Sequence, residues 1–234
     1  MRFKGKRSGL VVAALAVASV AAISVAMATT PTIKPEGDGL LATSNNAHFK
    51  IGSLTIVCPY MQLGGKIPSP GSSSMALSAP SFYHHAIEVE NPKFPCTDGV
   101  KGSLFGAPSG SSVHWELKVN STSSASVVIP KNGFHLEAPG AKCHIEFARS
   151  GSVTASAVFS KGFSNYGGSG LAFPSSIEVA ETSLPVLITI TSECPTGLLE
   201  GAKKEGEGYS TFATFFAWFD MSDGTNVSEI VKFE

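Results

Sequence analysis

A histidine and a glutamate separated by one residue occur three times in this 234-residue chain: His114/Glu116, His135/Glu137 and His144/Glu146. Successive side chains of an extended strand alternate between faces, so each pair lies on one face of its segment. Imidazole nitrogens and carboxylate oxygens both bind borderline divalent metals, and two histidines with carboxylates nearby suit Zn²⁺ or Cu²⁺. Pro139-Gly140 is a turn signal between the second and third pairs. A tight turn there sets a register in which Ala138 faces Ala141, Leu136 faces Cys143 and His135 faces His144. Directly opposed residues carry Cβ atoms about 4.5–5.5 Å apart, close enough for two imidazoles to share an ion with Glu137 and Glu146 beside them. The competing reading is the wet face of a sheet whose other face carries Trp115, Phe134, Ile145 and Phe147. Antiparallel sheets routinely have one such polar face, and that is the expectation here. A metal site of His135, His144, Glu137 and Glu146, with His114 and Glu116 as further candidates, is the alternative. Adjacent His84 and His85 would point to opposite faces of a strand, so at most one could join it.

The sequence holds no Gly-x-Ser-x-Gly elbow, no His-Glu-x-x-His helix and no P-loop. Ser164, in Gly162-Phe163-Ser164-Asn165-Tyr166, lacks the second glycine of an elbow. Gly37-Asp38-Gly39-Leu40-Leu41-Ala42 imitates a dinucleotide-binding string but follows a Pro-rich segment instead of a strand. Asn120-Ser121-Thr122 and Asn226-Val227-Ser228 fit the glycosylation sequon, which carries little weight if the source is bacterial. No nucleophile–base set or acid pair can be placed. A non-enzymatic binding or structural role without a cofactor is therefore the leading expectation, metal or small-ligand binding through the His/Glu face the second, and an enzyme the third.

The N-terminus speaks for export. Arg2, Lys4, Lys6 and Arg7 precede an uncharged apolar run from Leu10 through Ala26, and Ala26-Met27-Ala28 places small residues where a signal peptidase reads them. Residues 1–28 thus read as a signal peptide, with an uncleaved anchor as the alternative, and no transmembrane segment is expected after cleavage. Cleavage removes four of 17 basic residues and none of 18 acidic ones, leaving 13 against 18 and a formal charge of −5. A mildly acidic surface argues against nucleic acid and anionic lipid, and leaves a cell-wall or protein partner as the expectation. Cys58, Cys96, Cys143 and Cys194 are even in number and contain no Cys-x-x-Cys pair, which in an oxidising compartment points to disulfides. Of three pairings, the nearest-neighbour choice of Cys58–Cys96 and Cys143–Cys194 is favoured.

These residues need strands to hold them, and period-2 patterns dominate the chain. Residues 29–39 read as a flexible leader. Phe49-Lys50-Ile51 and Leu54-Thr55-Ile56 flank Gly52-Ser53 as a first hairpin, Pro68–Pro80 reads as a loop, and Ile87–Glu90 as a short strand. Val113–Asn120, Ala125–Pro130, Phe134–Ala138, Lys142–Ala148 and Val153–Phe159 read as an up-down meander, with Asn132-Gly133 pairing Ile129 with Leu136. Ile177–Val179 and Val186–Thr191 follow, Pro185 marking the latter as an edge strand or a strand start. Gly197–Gly208 is a polar loop. Tyr209–Phe219, apolar on both faces, is a central strand whose aromatics Phe212, Phe215, Phe216, Trp218 and Phe219 are expected in the core. The fold expected is all-β, an antiparallel meander or Greek-key β-sandwich of about ten strands over residues 40–234, with a subdivision near residues 165–175 left open.

A Thr-rich strand ending in Cys, the segment Cys194-Pro195 followed by Leu199 and Gly201, and the strand around Trp115 together resemble a loose group of uncharacterised secreted actinobacterial β-rich proteins. The resemblance spans most of the mature chain. It implies an extracellular or cell-envelope β-protein and carries over no functional residue.

Overall fold

The alternating segments form strands throughout the computed structural model, which describes residues 31–58, 60–78, 80, 96–97, 103–107, 113–137, 143–164, 172–173, 175–190, 194–195, 197–223 and 231–234. Nineteen strands and no helix occur among these residues. In chain order they begin β1 (Ile33–Lys34), β2 (Gly39–Ser44), β3 (Ala47–Ile51), β4 (Leu54–Cys58), β5 (Met61–Lys66), β6 (Ser74–Leu77), β7 (Cys96–Thr97) and β8 (Ser103–Ala107). Next come β9 (Trp115–Ser121), β10 (Ser124–Ile129), β11 (Phe134–Glu137), β12 (Cys143–Phe147), β13 (Val153–Ser160), β14 (Phe163–Ser164) and β15 (Ala172–Phe173). The last are β16 (Ser175–Ile190), β17 (Lys203–Glu205), β18 (Gly208–Asp223) and β19 (Lys232–Phe233). All ladders are antiparallel.

A sandwich has open sheet edges; here the ladders close on themselves. One ring of eight strands runs β18-β2-β5-β6-β9-β10-β13-β16 and returns to β18. A second ring of eight runs β18-β3-β4-β7-β8-β11-β12-β16 and also returns to β18. β16 and β18 can serve both because each is 16 residues long. The first part of β16, Ser176–Val179, pairs with β13, and the last part, Val186–Ile190, pairs with β12. β18 likewise gives Ala213–Phe216 to β3 and Asp220–Asp223 to β2. Closure satisfies the backbone groups that an open edge would leave unpaired.

Side chains fill both rings, as expected for eight strands. In the first, Leu40, Leu63, Leu77, Leu117, Ile177 and Phe219 surround a void of only about 10 Å³, room for at most one water. The second is plugged by rings: Phe49 lies 4.7–5.2 Å, centroid to centroid, from Phe134, Phe147 and Phe215. Trp115, from the first ring, packs on Phe134 and Phe215 of the second, so one continuous cluster of buried residues joins the two.

Several expectations need correction. Asn132-Gly133 does not join a hairpin, because β10 pairs with β9 and β13 while β11 pairs with β8 and β12. The dipeptide instead carries the chain from the first ring to the second, with Asn132 at φ 53°. A Cβ on Gly133 would stand 3.0 Å from Ile129 Cγ2 and 3.2 Å from Trp115 Nε1, so the glycine answers to the tryptophan beside it. Pro185 neither starts a strand nor lies on an edge; it sits inside β16, between the parts that pair with β13 and β12, where its missing N–H costs no bond to either. The 68–80 loop contains β6, and the polar 197–208 loop contains β17. In the segment read as a flexible leader, Ile33 is fully buried and pairs with Phe233. β18 is central as expected, but only one of its faces is buried: Phe212 is 66% and Trp218 37% exposed. The Gly52-Ser53 hairpin forms as read, with Gly52 at φ 58° and Ile51 opposite Leu54. Residues 1–30, Ile87–Glu90, His84-His85 and the Pro139-Gly140 turn lie outside the described residues.

Both disulfides lie in the second ring. Cys58–Cys96 joins β4 to its neighbour β7, and Cys143–Cys194 ties the start of β12 to the segment after β16. This is the nearest-neighbour pairing, and no described cysteine is free.

Candidate metal centre

The sequence of β11, Phe134-His135-Leu136-Glu137, alternates buried and half-buried residues, as does Cys143-His144-Ile145-Glu146-Phe147 of β12. Phe134, Leu136, Ile145 and Phe147 anchor the two strands in the ring interior. That burial forces His135, Glu137, His144 and Glu146 onto the outer face.

Their register differs from the one expected. His135 stands opposite Glu146, and Glu137 opposite His144, two residues away from the alignment that would oppose the histidines. β11 ends at Glu137 and β12 begins at Cys143. An even offset leaves every side chain on its own face, so the histidines become diagonal neighbours instead of direct ones. Their ring centroids are still only 4.7 Å apart, with planes at 38°.

Glu137 closes the group. Its Oε2 lies 3.9 Å from His135 Nε2 and 3.9 Å from His144 Nδ1. One ligand atom from each of His135, Glu137 and His144 falls within 4.8 Å of the others. A tetrahedral ion with bonds of about 2.0–2.1 Å needs donors roughly 3.4 Å apart, so small side-chain rotations bring these three into range. Glu146 stands at the side: Oε1 is 3.6 Å from His144 Nε2, while Oε2 is 3.5 Å from Arg149 Nε. His114 and Glu116 are not brought to the group. His114 directly precedes β9 of the first ring and Glu116 lies on it, where Glu116 pairs with Lys118 at 3.2 Å.

The electrostatics favour a neutral donor at His135. Its side chain is 19% exposed, and burial, followed by the facing His144, holds its pKa below the ordinary histidine value against the opposing pull of Glu137 and Glu146. A neutral imidazole is the form that binds metal.

Arg149 is the residue that sequence reading missed. It follows Ala148, a fully buried residue at φ 57°, and that left-handed step turns the guanidinium back toward Glu146. No glycine or asparagine marks this step, so the sequence carries no signal for it.

The chain matches no protein-family model, no curated protein and no solved structure.

Proposed function

We propose that this is an exported bacterial binding protein that holds a divalent transition metal, Zn²⁺ or Cu²⁺, on the outer face of its second ring through His135, His144 and Glu137, with Glu146 available as a fourth ligand. One observation carries this reading: donors from three residues on two adjacent strands converge within 4.8 Å. Two imidazoles and a carboxylate form the ligand class that Zn²⁺ and Cu²⁺ prefer, and three protein ligands leave a position open for Glu146 or a solvent molecule. Rigid strands anchored by buried Phe134 and Phe147 supply the preorganisation that such a site requires. No catalytic step is assigned to it.

Calorimetric titration of Zn²⁺ and Cu²⁺ into the wild type and into the His135→Ala/His144→Ala double variant tests the reading. Binding near one equivalent in the wild type and none in the variant is expected. Equal heats in both, or none in either, would leave an ordinary solvated sheet face.

Export and an extracellular or cell-envelope location rest on the basic flank, the apolar run and the Ala26-Met27-Ala28 site, and two disulfides suit an oxidising compartment. The proposed kinship with secreted actinobacterial β-rich proteins points the same way. Among the described residues no helix is long and apolar enough to cross a membrane. N-terminal sequencing of protein from the culture medium is expected to read from Thr29, and a start at Met1 would refute cleavage.

A further inference from the structure

A cleft of about 380 Å³ opens on the same outer face, next to the His/Glu group but separate from it. Strand order defines its shape. β12, β16, β18 and β17 lie side by side, so the turn after β12 borders the cleft on one flank and β17 with its following turn on the other. Arg149 and Ser150 come from the first flank and Glu205 from the second, while Pro185, Leu187 and Ser210 line the strands between them.

The two flanks carry opposite charges that do not neutralise each other. Glu205 makes no ion pair with any described residue. Arg149 approaches Glu146 through Nε, at 3.5 Å from Oε2, and its side chain is half exposed. A guanidinium has five N–H donors in a planar fork, so one carboxylate leaves donors for a second. Between the charges lie the apolar surfaces of Pro185 and Leu187, both partly buried, and the hydroxyls of Ser150 and Ser210. The volume lies within the range of small-molecule sites.

We propose that this cleft binds a small zwitterion whose charges stand at the two ends of an aliphatic chain, an ω-amino acid. Arg149 receives its carboxylate, Glu205 its ammonium group, and Pro185 with Leu187 the aliphatic chain between them. A purely anionic ligand would meet Glu205 and a purely cationic one Arg149, so the paired charges exclude single-charge molecules of the same shape. The inference goes beyond the metal reading and does not depend on it.

The test is titration calorimetry on the full mature protein in the presence of a chelator, so that metal plays no part. The probes are 6-aminohexanoate, hexanoate, which lacks the amine, and pentylamine, which lacks the carboxylate. The zwitterion is expected to bind one to one, with each analogue at least about tenfold weaker. Arg149→Gln and Glu205→Gln are each expected to weaken the zwitterion about tenfold while leaving the thermal midpoint unchanged, because both side chains lie at the surface. No binding of 6-aminohexanoate to the wild type, or equal binding of either analogue, overturns the proposal. The analogue arm holds even if a variant fails to fold. Binding of 6-aminohexanoate by a protein that takes up no zinc would refute the metal reading alone, and zinc uptake without 6-aminohexanoate binding would refute this proposal alone.

Discussion

His135 stands opposite Glu146 across the β11–β12 ladder, yet its ring lies 4.7 Å from that of His144, the diagonal neighbour. Twisted antiparallel strands bring one diagonal of each square of residues closer than the other, and here that diagonal joins the two imidazoles. The remaining corners are carboxylates. Each histidine therefore has one carboxylate along its own strand and one across the ladder.

Metal binding through this arrangement is expected to depend on pH with a defined sign. A metal competes with protons for the same nitrogens, so affinity falls as pH falls. His135 already resists protonation, because burial and the facing His144 disfavour its cation. Apparent Zn²⁺ affinity should therefore fall as the solution is made more acidic. Calorimetry at a series of pH values checks it; affinity that rises on acidification would contradict the assignment of neutral imidazole donors.

The same group links folding to pH without metal. The His135 pKa is lower in the folded protein than in the unfolded chain, so in mild acid the unfolded chain takes up a proton that the folded one resists. The penalty is absent above the unfolded value of about 6.5, grows as pH falls through it, and saturates below the folded value. Urea midpoints at pH 7.5 and 5.5 are expected to differ more for the wild type than for His135→Asn. Equal differences would show that His144, Glu137 and Glu146 compensate the burial of His135.

Thiol titration of denatured, non-reduced protein should find no free thiol. The bridges span 38 and 51 residues in sequence, and replacing either pair with serine should cost about 2–4 kcal/mol in chemical denaturation. Cys143 is the residue before His144, so the Cys143→Ser/Cys194→Ser variant should also weaken Zn²⁺ binding, whereas Cys58→Ser/Cys96→Ser should not.

Phe215 and Phe212 separate the two faces of β18. Phe215 is fully buried against Phe49 and Trp115, and Phe215→Ala should cost about 3–5 kcal/mol. Phe212 is 66% exposed, and Phe212→Ser should change stability by no more than about 0.5 kcal/mol. Denaturation curves of the two variants measure the difference; a similar loss in both would mean that the outer aromatics are covered.

Much of the strand content was legible, because period 2 records which face is buried. β9, β10, β12 and β13 fall where alternation places them, and the Gly52-Ser53 hairpin forms as read. Pairing was less legible. Period 2 says nothing about which strands become neighbours, so Asn132-Gly133 imitated a hairpin turn while serving as a crossing between rings. Ile177–Val179 and Val186–Thr191 looked like two strands because Pro185 and the polar residues between them break the apolar pattern, although β18 holds both as one. The His/Glu group survived a wrong register because the offset was even and preserved the face. Arg149 and the cleft were not legible, since a left-handed alanine and the packing of distant strands place them.

The sharing of β16 and β18 has a consequence for timing. Both strands lie after residue 174, and neither ring has a complete wall until the chain is available as far as Asp223. The first and last described segments are also bound to each other, through β1 with β19 and a hydrogen bond from Glu234 N to Thr32 O. No part of the chain before β16 can close either ring, and the contacts that finish the fold join residues far apart in sequence, a topology that slows folding. Until β16 and β18 are in place both rings stay open, and the same two strands complete both walls.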